Sequence, residues 1–557
     1  MKIRFKLPEK FETVWALFML TVLTFLLQGI VFKHLVGNQV LMPWLLFFSF
    51  LLFLRPYASA ILVFLIEALL SRIHLMKLSL TNTPLDASDL LGWRQAVFLK
   101  SYTDILIPVL AFGMVVCIVK GFSMKKRQYV FLPIFILLTA SCVQESRPTE
   151  VKTNPVNFLF RLARVNYVDW NLVTNVKENG ILNHMFLTLP KGDIPPKGKV
   201  PYDDYRTPAL TKDDSDRPDV FLILCESCYS SSGDSFVTPI SRLEQEGYSH
   251  ATVISPVYGG MTAEAEYEVL TGLPSRRYKG IDFQYFAEKY AKEARAVPRV
   301  FAQNGYETFS AHNNGGYYWK REIVHPKFGF NKSLFYEDKQ WGARATPPED
   351  GLLFSKALKQ YSDNLQAGKK TFSFLITIYS HGPYAETNGD GGEAVYKQRL
   401  EKTTQDILAF EKAASELAKL NNRPVVFVLF GDHKPAMTIA FYKKHEFDDD
   451  FFIAKGDKSE SFLFANLNRT QQLVFGRVPL YVKTAGTKDN ALAQTLAADM
   501  ENRPLFCLPG LLSQSVGIQE AFYKYTSEVC QRDAEELVDP RSLRSLFPEE
   551  IYGNRLF

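Results

Sequence analysis

The sequence predicts two parts of different architecture, a multi-pass α-helical membrane domain followed by an α/β domain. The chain has 557 residues, 47% of them hydrophobic, and its long apolar runs are concentrated before residue 145. After residue 219 the pattern changes to short apolar runs that alternate with helical stretches. Because a single hydrophobic core does not serve a chain of this length, more than one domain is expected.

Five apolar segments predict a membrane domain with five transmembrane helices over residues 1–145. The first is long enough to cross a bilayer unaided, since about 20 residues span the hydrocarbon core, and the others need flanking residues. The second and third are separated by little more than Arg55 and Pro56, which predicts a helical hairpin, with a re-entrant pair as the alternative. The downstream segments exclude a cleaved signal peptide. The segments are Val14–Phe32, Val40–Leu54, Tyr57–Leu70, Ile105–Val119 and Tyr129–Val143.

Basic residues set the predicted orientation. One Lys/Arg cluster precedes the first segment and another lies between the fourth and the fifth. Since such clusters stay in the cytoplasm, five crossings place the chain after about residue 145 outside it. An oxidising compartment would allow Cys507 and Cys530 to form a disulfide. Cys225 and Cys228 form a C-x-x-C motif without a second pair, which disfavours a zinc ribbon and a redox motif.

Residues 146–218 are predicted to form a connector, because prolines interrupt them repeatedly. Within the connector, Val156–Trp170 combines aromatic and aliphatic residues with arginines. That composition predicts a helix that lies on the membrane surface, with a helix docked on the globular domain as the alternative.

From Val220 onward, four apolar runs predict buried strands of a largely parallel sheet, with helices between them. In such sheets the functional site forms at the carboxyl ends of the strands. The predicted strands are Val220–Leu224, Glu307–Ser310, Phe372–Ile378 and Val425–Phe430, and the helices include Thr262–Leu270, Ala287–Phe301 and Lys397–Leu420.

Each predicted strand leads into polar residues, namely Glu226, His312, His381 and the adjacent pair Asp432 and His433. A lone histidine at a strand end is usually structural, but four polar strand ends on one sheet edge favour a site. Aspartate, histidine and a further carboxylate suit a divalent cation such as zinc or manganese. A structural salt bridge or a helix cap is the alternative for Asp432 and His433.

Thr262 opens a short predicted helix that follows Gly259 and Gly260 and ends at Gly272. Backbone N–H groups and the helix dipole make such an N-terminus a natural place for a phosphate group. A nearby metal ion would lower the pKa of the hydroxyl and make Thr262 a nucleophile. An ordinary N-cap threonine is the alternative.

Together these motifs resemble the lipoteichoic acid synthase/phosphoglycerol transferase family, a branch of the sulfatase-like, alkaline-phosphatase superfamily. The resemblance implies a sulfatase-like (alkaline-phosphatase-type) α/β catalytic domain over residues 219–557, outside the cytoplasm. The motifs that carry it are Leu224–Ser227, Gly260–Glu266, His312–Arg321, Ser380–His381 and Gly431–His433.

The resemblance also implies roles for individual residues. Thr262 would be the nucleophile, and His381 would assist the leaving group. One divalent ion, manganese or zinc, would be the cofactor. The implied metal ligands are Glu226, Thr262, Asp432 and His433, and the implied substrate-binding residues are His312, Trp319, Arg321 and His381.

The implied reaction transfers phosphoglycerol from phosphatidylglycerol to a glycan or glycolipid acceptor through a phospho-threonine intermediate. Met261 replaces the lysine that lipoteichoic acid synthases usually carry, and Lys434-Pro435 resembles the Gram-negative branch that modifies periplasmic glucans. Single-group transfer is therefore favoured over polymer synthesis, in the inner membrane of a bacterium with the catalytic domain in the periplasm. A net charge of +5, without Walker or RNA-binding motifs, gives no indication of a nucleic-acid partner.

Three alternatives stay open. A phosphoethanolamine transferase acting on lipid A or another glycan would share the threonine and the anchored architecture. A sulfatase is disfavoured because threonine cannot become formylglycine and because Glu264 and Glu266 replace the proline and arginine of the sulfatase motif. A catalytically inactive phospholipid sensor is disfavoured because Thr262 and the candidate ligands are present.

Overall fold

A computed structural model of the chain divides it into two compact units, Met1–Asp193 and Ile194–Phe557. We describe each unit by itself. The predicted connector is divided between them at residue 193. The described residues are 9–81, 84–87, 106–145, 155–165, 172–189, 194–205, 217–231, 236–277, 281, 283–316, 318–336, 349–382, 384–385, 387, 389–435, 437, 441, 445, 468–486, 490–518 and 520–557.

The described part of the first unit is mainly helical. A buried polar contact joins its first and third helices, because Thr24 and Gln28 donate hydrogen bonds of 2.8 and 2.6 Å to Glu67. The helices are α1 (Glu9–Phe32), α2 (Leu41–Phe50), α3 (Pro56–Thr81), α4 (Leu106–Gly121), α5 (Leu132–Glu145), α6 (Pro155–Leu162), α7 (Leu172–Asn179) and α8 (Ile181–Leu187).

Two stretches of the described part, Phe11–Phe32 and Pro56–Lys77, are long and apolar enough to cross a membrane. Leu106–Gly121 and Gln128–Cys142 are apolar but shorter. Helix α2 has 10 residues; at 1.5 Å per residue it rises about 15 Å, half of the hydrocarbon core. Helix lengths therefore support two spans, and the five-span topology stays a prediction.

Helix α6 covers only the first half of the predicted surface helix Val156–Trp170, and residues 166–170 of that prediction lie outside the described residues. Val156 and Phe160 of α6 are buried, whereas Phe158 and Leu162 are more than half exposed. The helix is thus amphipathic, as the sequence predicts.

The second unit is built on a seven-stranded sheet in the order β2-β7-β6-β1-β5-β3-β4. Strands β1, β5 and β6 are buried along their whole length, as expected of central strands covered on both faces. The strands are β1 (Asp219–Cys225), β2 (Ser249–Ile254), β3 (Tyr306–His312), β4 (Lys332–Phe335), β5 (Lys370–Ile376), β6 (Val425–Gly431) and β7 (Arg477–Ala485).

Helices cover the sheet and form most of the carboxyl-terminal part. They are α9 (Arg242–Gln245), α10 (Thr262–Thr271), α11 (Phe283–Phe286), α12 (Val297–Gln303), α13 (Arg321–Phe328), α14 (Asp350–Gln366), α15 (Glu393–Leu420), α16 (Arg469–Gly476), α17 (Ala491–Met500), α18 (Leu508–Ser515), α19 (Ala521–Val529), α20 (Ala534–Val538), α21 (Pro540–Leu546) and α22 (Glu549–Leu556).

The α/β prediction for this unit is confirmed, and all four predicted strands are present as β1, β3, β5 and β6. The sheet is mixed rather than parallel throughout, because β7 pairs antiparallel with both β6 and β2. The predicted helix over Ala287–Phe301 is wrong in its first half. There, the N–H groups of Ala291 and Arg295 donate to carbonyls of the last helix, α22, instead of continuing a helix.

Candidate functional site

The order of the strands brings the predicted polar strand ends together. Strands β6, β1, β5 and β3 are consecutive neighbours and run parallel, so their carboxyl ends lie on one edge. Asp432 and His433 follow β6, Glu226 follows β1, His381 follows β5, and His312 ends β3. This is the edge at which α/β sheets carry their sites.

A tight turn after β1 presents Glu226. A disulfide between Cys225 and Cys228 closes this turn, and both cysteines are buried. The Glu226 N–H donates to Thr377 Oγ1 at 2.9 Å, which ties the turn to the end of β5. A Cβ atom at Gly431 would lie 2.2 Å from the Cys228 carbonyl oxygen, so only glycine permits β6 to approach this turn.

Glu226, Asp432 and His433 form a cluster whose candidate ligand atoms lie within 4.8 Å of one another. His433 Nε2 lies 3.2 Å from Asp432 Oδ2 and 3.5 Å from Glu226 Oε1. His433 Nδ1 donates to the Lys434 carbonyl, so in the neutral ring Nε2 carries a lone pair. Asp432 Oδ2 and His433 Nε2 are buried, and neither atom forms a hydrogen bond with any of the described residues.

The electrostatics of this cluster favour a cation. Burial and the charge of Glu226 raise the pKa of Asp432 to about 6. Burial opposes protonation of His433, but Asp432 and Glu226 outweigh it and raise the pKa of that imidazole. Two carboxylates and an imidazole, of which Asp432 Oδ2 and His433 Nε2 form no hydrogen bond among the described residues, are a donor set that suits zinc or manganese. The residues therefore fit a divalent ion.

Thr262 stands beside this cluster. Its Oγ1 donates to Glu226 Oε2 at 3.3 Å, and 7% of the residue is exposed. Thr262 is the first residue inside α10, and the N-cap is Met261, which has a left-handed backbone with φ 64°. The predicted N-cap role of Thr262 is therefore wrong by one position, because the left-handed Met261 turns the chain into the helix.

His312 and His381 are oriented by backbone carbonyls. Nδ1 of His312 donates to the Ile376 carbonyl at 2.8 Å, and Nδ1 of His381 donates to the Gly382 carbonyl. Burial and the nearby charge of Arg321 hold the pKa of His312 well below its usual range. His312 is therefore neutral, and its Nε2 is an acceptor. His381 is partly exposed, and its Nε2 is not used by the hydrogen bond to the Gly382 carbonyl.

Arg321 is buried and forms an ion pair inside the protein. Its Nε donates to Glu266 Oε2 at 2.9 Å, and its side chain is 3% exposed. Among the described residues, Glu266 is the carboxylate within ion-pair distance of Arg321. Trp319, two residues earlier, is partly buried and packs against the core of the unit.

Backbone strain concentrates at these turns. Eight described residues other than glycine have positive φ, and half of them lie next to candidate site residues. They are Ser227, Met261, Trp319 and Lys320. Such conformations cost about 1–3 kcal/mol each and cluster at functional sites.

Residues 218–474 match the family model described as Sulfatase. These residues form a sulfatase-family domain. The match confirms the sulfatase-like superfamily that the motifs indicated. A putative cyclic β-1,2-glucan modification protein of Rhizobium meliloti is 26% identical over 305 residues, which are 50% of this chain and 46% of that protein. The chain thus spans less than half the length of this curated relative.

The chain is similar to several solved structures, among them the following two. The lipoteichoic acid synthase LtaP from Listeria monocytogenes is 17% identical with a TM-score of 0.41, over 55% of this chain and 73% of that one. The Streptococcus pyogenes phosphoglycerol transferase GacH, in complex with sn-glycerol-1-phosphate, is 16% identical with a TM-score of 0.46, over 62% and 87%.

Sequence reasoning missed the residues that support the site of this sulfatase-family domain. Glu266 was noted only as a departure from the sulfatase motif, and His325 was not noted. Asp350 was also missed, although it accepts hydrogen bonds from Asn313, beside His312, and from the backbone of Ile378, near His381. Arg321 and His325 are four residues apart on one helix, and this spacing is the signal that could have identified the pair.

Proposed function

We propose that this chain transfers a phosphoglycerol group from phosphatidylglycerol to a hydroxyl of an extracytoplasmic glycan or glycolipid. The observation that carries the proposal is the Thr262 hydroxyl beside a buried cluster in which Asp432 Oδ2 and His433 Nε2 lack hydrogen-bond partners among the described residues, in a sulfatase-family domain. The names of the relatives, a glucan modification protein and a phosphoglycerol transferase, support this choice of group and acceptor.

The proposed cofactor is one divalent ion, manganese or zinc, held by Glu226, Thr262, Asp432 and His433. Bound there, the ion would lower the pKa of the Thr262 hydroxyl and offset charge on the transferred phosphoryl group.

In the first step, Thr262 Oγ1 forms a bond to phosphorus and its proton passes to Glu226 Oε2. The bond from phosphorus to the diacylglycerol oxygen breaks, and that oxygen takes a proton from His381 Nε2. In the second step, His381 Nε2 takes the proton of the acceptor hydroxyl as its oxygen attacks phosphorus. Thr262 then leaves and recovers its proton from Glu226.

The remaining residues bind the group that is transferred. Arg321 holds the phosphate oxygens through the guanidinium nitrogens that Glu266 does not occupy. Neutral His312 accepts a hydrogen bond from a glycerol hydroxyl at Nε2. Trp319 forms an apolar wall for the glycerol carbons.

We place the catalytic domain in the periplasm of a bacterium, anchored in the inner membrane by the helices of the first unit. The two apolar helices support the anchor. The disulfides Cys225–Cys228 and Cys507–Cys530 support an oxidising compartment, since disulfides rarely persist in the cytosol.

The test is to incubate the purified protein, with Mn²⁺, with vesicles that contain phosphatidylglycerol labelled in its headgroup glycerol. We expect the label to become covalently attached to a peptide that contains Thr262, and the Thr262→Ala variant to remain unlabelled while its melting temperature stays close to that of the wild type. Vesicles with ethanolamine-labelled phosphatidylethanolamine form the second arm. Labelling in that arm alone would identify a phosphoethanolamine transferase, and label on the Thr262→Ala variant would refute the nucleophile.

A further inference from the structure

A second buried cluster includes Glu266 of helix α10, one turn after Thr262. Its centre is Glu266, which is fully buried and accepts from Arg321 Nε at 2.9 Å and from His325 Nε2 at 2.8 Å. His325 Nδ1 lies 2.9 Å from the Ser310 hydroxyl, which in turn lies 2.7 Å from the Ser333 hydroxyl. Four side chains thus continue inward from the Arg321 guanidinium.

The protons of this chain of contacts can be assigned. Arg321 and His325 lower the pKa of Glu266 despite its burial, so Glu266 is ionised and acts only as an acceptor. Burial outweighs Glu266 and lowers the pKa of His325, so its ring is neutral. His325 therefore donates at Nε2 and accepts the Ser310 proton at Nδ1. The cluster then contains one formal ion pair, between Glu266 and Arg321.

The position of the cluster argues against direct catalysis. Serine, histidine and a carboxylate follow one another as in a hydrolase triad, but Ser310, His325 and Glu266 are all fully buried. The Ser310 hydroxyl is held between His325 Nδ1 and the Ser333 hydroxyl, so it is not available as a nucleophile. The cluster therefore acts through Arg321, which directly follows the left-handed residues Trp319 and Lys320.

The cluster also joins two helices at their first turns. Thr262 and Glu266 are one turn apart on α10, and Arg321 and His325 are one turn apart on α13. Helix α10 begins directly after Met261 and helix α13 directly after Lys320, and both of these residues have a left-handed backbone. A single carboxylate that binds both members of the second pair fixes the start of α13 relative to the start of α10.

We propose that Glu266 and His325 are positioning residues, which hold the Arg321 guanidinium at a fixed place relative to the Thr262 nucleophile. Glu266 fixes Nε of the guanidinium, so that its remaining nitrogens are directed to the phosphate of the transferred group. His325 fixes Glu266 and is itself fixed by Ser310. The inference rests on the proposed function, because it assigns Arg321 to the phosphate.

The test is a double-mutant cycle on Glu266→Gln and Arg321→Ala, read by calorimetric binding of sn-glycerol-1-phosphate to the Mn²⁺-loaded full chain. Glu266→Gln should weaken binding about tenfold, the size of coupling typical of residues in contact. In the Arg321→Ala background, the same substitution should change affinity by less than about twofold. Mn²⁺ affinity should be the same in all four proteins, since none of these residues belongs to the metal cluster.

Glu268→Gln is the matched control. Glu268 is also fully buried on α10, but it accepts from the backbone and hydroxyl of Ser275 instead of a guanidinium. Its substitution should leave binding within about twofold in both backgrounds. If Glu266→Gln weakens binding equally with and without Arg321, or if Glu268→Gln has the same effect as Glu266→Gln, the positioning role is refuted.

His325 provides a second route in case Glu266→Gln does not fold. Glutamine at 325 can donate to Glu266 and accept from Ser310, so His325→Gln should retain most of the affinity that His325→Ala loses. Equal losses in both variants would overturn the inference. Transfer from phosphatidylglycerol by the wild-type protein is measured separately, so failure of the proposed donor is distinguished from failure of this coupling.

Discussion

Two buried clusters of carboxylates and histidine meet at helix α10, and they differ in whether their polar atoms have partners. In the first, Asp432 Oδ2 and His433 Nε2 have no hydrogen-bond partner among the described residues. In the second, both oxygens of Glu266 are paired, one with Arg321 and one with His325. Both clusters are almost wholly inaccessible to solvent.

The difference separates a cluster with unpaired polar atoms from one whose carboxylate is fully paired. Burying like charges without a counter-ion is costly, and the raised pKa of Asp432 reflects that cost. Burying a carboxylate against a guanidinium and a neutral imidazole keeps the carboxylate ionised, as the lowered pKa of Glu266 shows. Residue types alone do not distinguish the two clusters, whereas pairing does.

The largest expected effect comes from the unpaired cluster. Asp432→Ala should abolish transfer and lower Mn²⁺ affinity by more than the roughly 10- to 100-fold that loss of an outer-shell partner costs. Calorimetry with Mn²⁺ and the labelled-lipid assay measure both. Chelation should abolish transfer in the wild type, and added Mn²⁺ should restore it.

Asp432 also tests the difference between the two clusters in the metal-free protein. In chelator, Asp432→Asn should raise the melting temperature or leave it unchanged, because it removes one of two buried like charges. Glu266→Gln should lower the melting temperature, since it leaves Arg321 buried without its counter-charge, at a cost of about 3–5 kcal/mol. If the two substitutions shifted the metal-free protein in the same direction, the distinction between the clusters would fail.

A smaller effect is expected from Arg321→Lys. A lysine ammonium keeps the charge but offers one point of contact, so it can pair with Glu266 or with the phosphate but cannot serve both at once. We expect kcat/KM for phosphatidylglycerol to fall by about ten- to a hundredfold, with both kcat and KM affected. Retention of wild-type kinetics on lipid vesicles would show that the fork geometry of Arg321 is not used.

The sequence predicted the edge of the sheet that carries the site because buried strands leave a recognisable apolar pattern and polar residues follow them directly. It did not predict the ion pair between Glu266 and Arg321, which are 55 residues apart. A contact between residues so far apart in the sequence leaves no periodic pattern in the sequence. The antiparallel strand β7 was missed for a related reason, since its direction is set by its neighbours rather than by its composition.

Local signals also failed where tertiary contacts compete with them. Residues 287–296 have the composition of a helix, but the N–H groups of Ala291 and Arg295 donate to the carbonyls of Leu556 and Arg555, far along the chain. The left-handed backbone of Met261 was likewise not predictable, because the residues that favour this conformation are mainly glycine and asparagine. Glu226, Asp432 and His433 were found because they directly follow buried strands.

The smallest effect on transfer is expected at Asp350, a third buried carboxylate that has partners but no cation. It accepts from Asn313, Ile378, Tyr379 and Thr403, yet burial outweighs these neutral donors and raises its pKa to about 6. A raised pKa in the folded state means that Asp350 contributes stability below about pH 4 and that this contribution is lost as pH rises through about 6.

Asp350→Asn should therefore remove part of the pH dependence of stability. Asparagine can keep the oxygen that accepts the Ile378 and Tyr379 N–H groups and can donate its amide to Thr403. Relative to the wild type, the variant should gain up to about 3 kcal/mol in unfolding free energy between pH 4 and pH 7, because a pKa difference of one unit corresponds to about 1.4 kcal/mol. Melting temperatures of both proteins in detergent across this range measure the effect, while transfer at pH 7 should stay within about twofold. If the stability of the two proteins depends on pH in the same way, neutral donors keep Asp350 ionised as well as a guanidinium keeps Glu266 ionised. Pairing with a cation would then not be what distinguishes the buried carboxylates.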